Sequence, residues 1–212
     1  MENQNHAFNY AYLLKQVKAR VLLAQKKAIY TANEEMLSMY WDIGKLLSES
    51  QKQIGWGNNA LEKLANDLKN DYPEMKGFSV RNCQFMIQFY NEYNQQLTNT
   101  KRAVSYLNNN EIVLPVSKLG WSHNITLMQR TKDIKARYWY MIQCLKNGWS
   151  RDFLIEAIKQ DYYHSHGALA SNFDTTLPEI QAKQVKETLK DPYIFDMLTF
   201  LSLIHISEPT RP

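Results

Sequence analysis

Over most of the chain, apolar positions recur three and four residues apart, the spacing of one helical face. Leu14, Val17, Val21, Ala24 and Ala28 begin the series. The phase slips near Ala32, and Met36, Met39, Ile43 and Leu46 resume it. No proline interrupts, and Gly44 is the only glycine, so one helix is predicted from near Phe8 to about Ser50. Such a length suits a coiled-coil-like spine, within one chain or between two. The stutter suits packing onto other helices of the same domain equally well.

A second pattern occupies Gly55 to Tyr93. Asn58 or Asn59 can cap a helix along which Leu61, Leu64, Ala65 and Leu68 recur. Tyr72-Pro73 ends it, because proline disfavours a helical residue before it and lacks the backbone donor. Gly77 bends the chain, and Ser79 is a good N-cap for the next helix. In that helix Cys83, Met86, Tyr90 and Tyr93 form an apolar seam predicted to be buried. Arg81, Gln84, Gln88, Asn91 and Gln95 share another face. Forked Arg, Gln and Asn side chains match base edges in the DNA major groove, and helix, turn and polar-faced helix is the helix-turn-helix arrangement. A plain helical hairpin with a solvated polar face has the same pattern, and the connection is longer than the usual three or four residues or so.

Further helices are predicted over about Ser122–Gln129, Ile134–Lys146 with Gly148 as C-terminal cap, Ser150–His164 and Glu179–Lys190, with a last one starting at Asp191-Pro192. Val104–Leu107 and Ile112–Leu114 flank three asparagines and could form a small wing-like hairpin, limited by Pro115. Gly-Trp-Ser occurs at Gly120–Ser122 and Gly148–Ser150. Ser150 can cap while Trp149 packs on Leu154 as a staple, which makes these tryptophans structural anchors. The fold class is therefore mainly α: a long N-terminal helix plus a helical domain with a helix-turn-helix-like unit.

Composition narrows the function classes. Apolar content of 44% supports a core. No run approaches the ~18 apolar residues of a membrane span, and no secretory signal opens the chain, so a cytoplasmic protein without a membrane partner is expected. Cys83 and Cys144 lack disulfide or metal spacing and read as buried thiols. Charge is segregated. Gln4 to Asn33 carries five bases (Lys15, Lys18, Arg20, Lys26, Lys27) and no acid, Asn33 to Glu74 has eight acids against four bases, and Met75 to Lys132 has seven bases against Glu92 and Glu111. Segregated positive charge attracts phosphate. The same residues could equally be scattered over a solvated surface.

Several motifs in order carry a family resemblance: AQKKAIYTANEEMLSMYWDIGKLL, GWGNNALEKLANDLKNDYPEMKGFSVRNCQFMIQFY, LGWSHNITLM, NGWSRDFLIEAI and NFDTTLPEIQAKQVKETLKDPYIFDML. Together, over most of Tyr10 to Leu198, they resemble the N-terminal domain of the YhcG-like family of bacterial proteins. The resemblance implies a helical, DNA-binding domain followed by a PDDEXK nuclease domain. Pro115–Trp121 is looser than the family's Leu-Pro-Trp-type segment. The expected division is 1–190 helical domain, 191–200 the start of a nuclease domain cut short, and 201–212 a tail that looks like a translated sequencing-library adapter.

A PDDEXK site needs Asp and Glu-x-Lys on adjoining strands to hold Mg²⁺. Asp71 to Lys76 contains a Glu-x-Lys, but it sits in the turn between two helices. Mg²⁺ is thus implied only for the nuclease domain; no cofactor, metal site or catalytic residue is expected in this chain. His164-Ser165-His166 with Asp161 reads as helix-end surface chemistry. Ser122-His123 lacks an acidic orienter, and the seven glycines form no phosphate loop. The expectation is a catalytically inert DNA-binding module. Lys76, Arg81, Lys101 and Arg102 would supply charge, Ser79 would set the helix N-terminus, and Arg81, Gln84 and Gln88 would form the reading face. The expected partner is duplex DNA, with a homodimer through the long first helix as a second association. The alternative is a helical protein-interaction module without DNA contact.

Overall fold

The computed structural model describes residues 10–54, 58–99, 115–167, 187–188, 190–194 and 196–198. The described residues are helical, with no strand among them. Helix α1 spans Tyr10–Ile54, α2 Asn58–Asp71, α3 Val80–Asn99, α4 Trp121–Arg130, α5 Ile134–Asn147 and α6 Arg151–Lys159. Short 3-10 turns at Lys76–Phe78 and Val116–Lys118 precede α3 and α4. None of these helices is long and apolar enough to cross a membrane. The hairpin candidate at 104–114, the 172–186 segment and the 201–212 tail lie outside the described residues.

The boundaries follow the local chemistry. Ser79 accepts from the Asn82 amide at 3.2 Å and starts α3. Asp133 accepts from the Lys135 and Ala136 amides and starts α5; Gly148, at φ 59°, ends it in the left-handed conformation that glycine adopts without a Cβ penalty. Ser150 caps α6 through the Phe153 amide. The helix predicted to reach His164 stops earlier. Asp161 takes φ 50°, and a π-turn over Tyr163–Gly167 follows. The Tyr163 amide there donates to the Tyr140 hydroxyl at 3.2 Å, so a partner on α5 shapes the break.

The core forms where α1 and α3 cross. A Cβ added at Gly44 would fall onto the carbonyl of Met86, so the absent side chain permits the close approach. Around that point Trp41 packs edge-on against Phe89 and Tyr90, with ring centroids 5.6 and 5.1 Å apart. Tyr40 and Phe89 both pack on Trp121 at the start of α4, at 5.0 and 5.2 Å. Leu127, Met128, Met141, Leu145 and Leu154 close the core from α4, α5 and α6. Leu61 of α2 joins Leu47 and Cys83 in a satellite cluster. The predicted seam of Cys83, Met86, Tyr90 and Tyr93 is buried. Trp149 rests edge-on against Phe153 at 4.9 Å, one residue before the predicted Leu154, which is itself fully buried.

Polar groups tie the elements together. Asn33 of α1 is fully buried and donates to the Ser117 and Leu119 carbonyls at 2.9 and 3.1 Å. Arg137 donates to the Thr131 carbonyl, pairs with Glu92 at 2.8 Å and lies over Tyr93, so α5 is locked to α3 through a charge that is paired on every side. By contrast, the first part of α1 is open to solvent: every residue from 10 to 25 is exposed, and full burial begins at Asn33.

The crossing makes a direct prediction. Alanine in a helix interior is favoured over glycine by about 1 kcal/mol. Gly44→Ala should nevertheless lower stability by about 1–3 kcal/mol, because overpacking against a backbone carbonyl outweighs the propensity gain. Urea unfolding checks this; an unchanged or raised midpoint would show that α1 and α3 can separate at no cost.

Candidate functional site

Three helix N-terminal turns line one cleft of about 540 Å³. Ser79, Arg81 and Asn82 come from α3, Ser122 and His123 from α4, and Ser150, Arg151 and Asp152 from α6. Glu187, Lys190, Asp191 and Tyr193 close the far wall. Each helix N-terminus carries unpaired amides and the positive end of a backbone dipole. Asp191 already answers that of α4. It is 3% exposed, and its Oδ2 accepts from the Ser122 amide and hydroxyl, both at 2.8 Å. Gly120 makes room, since a Cβ there would sit 2.6 Å from the same oxygen. Lys190 pairs with Glu187 at 2.8 Å. Arg81 lies over the Phe85 ring at 5.5 Å, and its side chain is exposed. Arg151 is exposed at the mouth of α6.

Asn82 holds the cleft's floor. It is 1% exposed, receives the Trp121 indole N–H at 2.7 Å and donates to the Gly77 carbonyl at 2.6 Å. One amide thus fixes the turn before α3 to the first residue of α4. His123 is also buried. Its Nε2 stands 3.0 Å from the Trp149 carbonyl, which makes Nε2 the donor, and Nδ1 has no partner among the described residues. Burial pushes its pKa below the usual 6.5.

The sequence-predicted residues divide. Ser79 and Arg81 meet in the cleft, Lys76 is exposed on the preceding turn, and Gln84 is exposed one helical turn beyond Arg81. Gln88 differs from the expectation of exposure. It is half-buried, and its amide donates to Glu92 at 2.6 Å. Asn91, assigned to the same polar face, accepts from Ser48 of α1 at 2.8 Å. Among the described side chains the polar face open to solvent is therefore short, and Glu92 lies on its C-terminal side; the Gln95 side chain lies outside them. Lys101 and Arg102 lie outside the described residues. The Glu-x-Lys at Glu74 to Lys76 lies in the turn between α2 and α3 with both charges exposed, and His164 pairs with Asp161 at 2.7 Å on the surface.

Arg151 and Asp191 were missed by sequence reasoning. Asp191-Pro192 signals a helix start, and the Tyr193 amide does donate to Asp191 at 3.2 Å. Nothing local announces that the same carboxylate also caps α4 through Ser122, 69 residues upstream.

The described part of the chain is an all-helical module whose α3, α4 and α6 N-termini share a cleft. Its sequence matches the DUF1016 N-terminal domain over residues 16–165, and the chain belongs to that family, the YhcG-like N-terminal domain whose motifs it carries. No curated protein and no solved structure matches it.

The buried histidine gives the site a pH signature. The unfolded state binds a proton near 6.5 and the folded state resists it, so His123 contributes stability above that pH and the contribution is lost as pH falls. Thermal midpoints should fall as pH drops below about 6.5. His123→Gln, which can still donate to Trp149, should flatten that slope. An identical slope in the variant would assign the pH dependence to other groups.

Proposed function

We propose that this domain binds duplex DNA through the N-terminal end of α3. The observation that carries the reading is the exposure of Arg81 and Gln84 on the first turns of a serine-capped helix whose other faces are committed to the core. Lys76 stands on the preceding turn and Arg151 at the adjacent start of α6, so cations flank the helix end on two sides. Amides at the α3 and α6 N-termini suit phosphate oxygens. α2, the connection 72–79 and α3 follow the order of a helix-turn-helix, with α3 in the place of the reading helix.

Arg81 and Gln84 take the base-edge role, and Lys76, Ser79 and Arg151 take phosphate. Gln88 supports the face by holding Glu92 instead of reading a base. Lys101 and Arg102 extend the phosphate contacts in the same reading. The family resemblance joins such a domain to a PDDEXK nuclease domain. In that division of labour the helical domain positions the duplex in the bacterial cytoplasm, and Mg²⁺ chemistry belongs to the other domain. A second reading, protein contact through the long first helix, is favoured by the exposed apolar residues of its first half, Leu14, Val17 and Val21 included.

A salt series on a preferred and a scrambled duplex tests this. Arg81→Ala should cost about 1–3 kcal/mol and relax preference at one base if its contact is bidentate to guanine. Arg151→Ala should weaken all sequences alike and reduce the salt slope by about 1. Wild-type protein without salt-dependent binding at low ionic strength would overturn the DNA reading. Equal losses for both variants on every duplex would leave phosphate binding and remove base readout by α3.

A further inference from the structure

The exposed half of α1 has a chemistry of its own. Tyr10, Leu14, Val17, Val21, Ala24 and Ala28 form one stripe with alternating spacings of three and four, and all are exposed, Val17 and Val21 at 50% and 51%. The same line continues as Thr31, Glu35, Ser38, Asp42, Lys45 and Glu49, also exposed but polar. The line that enters the core, through Asn33, Met36, Tyr40 and Leu47, runs back along the helix as Ile29, Lys26, Leu22 and Lys18. The phase slip near Ala32 therefore turns the apolar stripe away from the domain. Solvation explains the polar half of the line; it does not explain six apolar residues in register on about 27 Å of helix.

Charge selects the occupant. From Tyr10 to Asn33 there are five cations and no acid. In heptad terms the charged positions flanking the seam are Lys18 on one side and Arg20 and Lys27 on the other, all basic. Flanking charges set partner choice in two-stranded coils. Two copies of this arm side by side would gather ten cations. Antiparallel pairing sets Arg20 against its own copy, and parallel pairing carried past Thr31 sets Glu35, Asp42 and Glu49 against theirs. A membrane-surface helix needs one broad apolar face; Leu13, Leu22 and Leu23 are exposed as well, but Leu22 and Leu23 lie off the seam, three or four residues from Lys18, Arg20, Lys26 and Lys27, so cations divide the apolar surface. Phosphate would engage the cations and leave the seam wet.

We infer that the first half of α1 is a docking arm for an acidic amphipathic helix of another protein, which covers the Leu14–Val17–Val21 seam and pairs its carboxylates with Lys18, Arg20 and Lys27. Such recognition combines an attractive match with repulsion of the wrong partner, the arm itself included.

The test uses the 212-residue chain and two synthetic helical peptides of four heptads, both with leucine and isoleucine in the seam. One carries glutamate at the flanking positions and the other lysine. Titration calorimetry near physiological salt should show the glutamate peptide binding at least tenfold more tightly. Val17→Ser with Val21→Ser should lose at least tenfold, with unchanged circular dichroism because both residues are exposed. Lys18→Glu, Arg20→Glu and Lys27→Glu together should transfer the preference to the lysine peptide. Equal binding of both peptides, or of neither, overturns the proposal. Sedimentation of wild type as a dimer that the double serine variant dissolves would give the seam to a second copy and also overturns it. So would loss of duplex binding or of anionic-vesicle binding in the double serine variant, since the seam would then belong to DNA or to a membrane surface.

Discussion

The fold depends on how closely α1 can approach α3. At Gly44 the two backbones meet with no side chain between them, and the aromatic residues on either side pack around that point. The crossing commits Met86, Phe89 and Tyr93 to the interior and brings Trp121 against Tyr40 and Phe89. It thereby fixes which residues of α3 are left outside. A side chain at position 44 would force the helices apart and loosen α4, which is seated on the same aromatic cluster. Interiors packed at crystal-like density have few ways to absorb such a change.

Buried polar groups then convert the packed helices into a specific arrangement of their ends. Asn82 joins the turn before α3 to Trp121, and Asp191 joins the last described segment to the start of α4. Both sit where an unmet donor or acceptor would be costly, so each contact restricts the geometry more than it adds net energy. The result is that three helix N-termini open on the same cleft, with Arg81 and Arg151 exposed at its rim. The Glu92–Arg137 pair acts further along α3, where Glu92 also holds the Gln88 amide and keeps it from the open face. The proposed DNA contact falls on the N-terminal turns because Met86, Phe89, Tyr90 and Tyr93 further along are committed to the core.

Local punctuation was legible. Tyr72-Pro73, Ser79 and Gly148 each act on their immediate neighbours, and α2, α3 and α5 begin or end where those residues require. The apolar seam of α3 was legible for the same reason, since period alone decides which side faces the core. The break at Gln160–Asp161 was not, because no glycine or proline marks it and its partner is Tyr140 on another helix. The Gln88–Glu92 bond spans four residues and could have been read. That Arg137 would anchor Glu92 could not, since the pairing exists only once α5 is docked. Asp191 is hidden similarly: a cap is recognisable from sequence, but a second, distant helix that it also caps is not.

The most direct measurement concerns which helix touches the duplex. A photo-crosslinking residue placed at Gln84 on α3, or at the exposed Glu62 on α2 as control, distinguishes a reading helix from diffuse attraction to a basic surface. If α3 is the reading helix, crosslinks to duplex DNA form from position 84 and few from position 62, and they persist as salt is raised until binding itself is lost. Equal yields from both positions, or a higher yield from position 62, would contradict it.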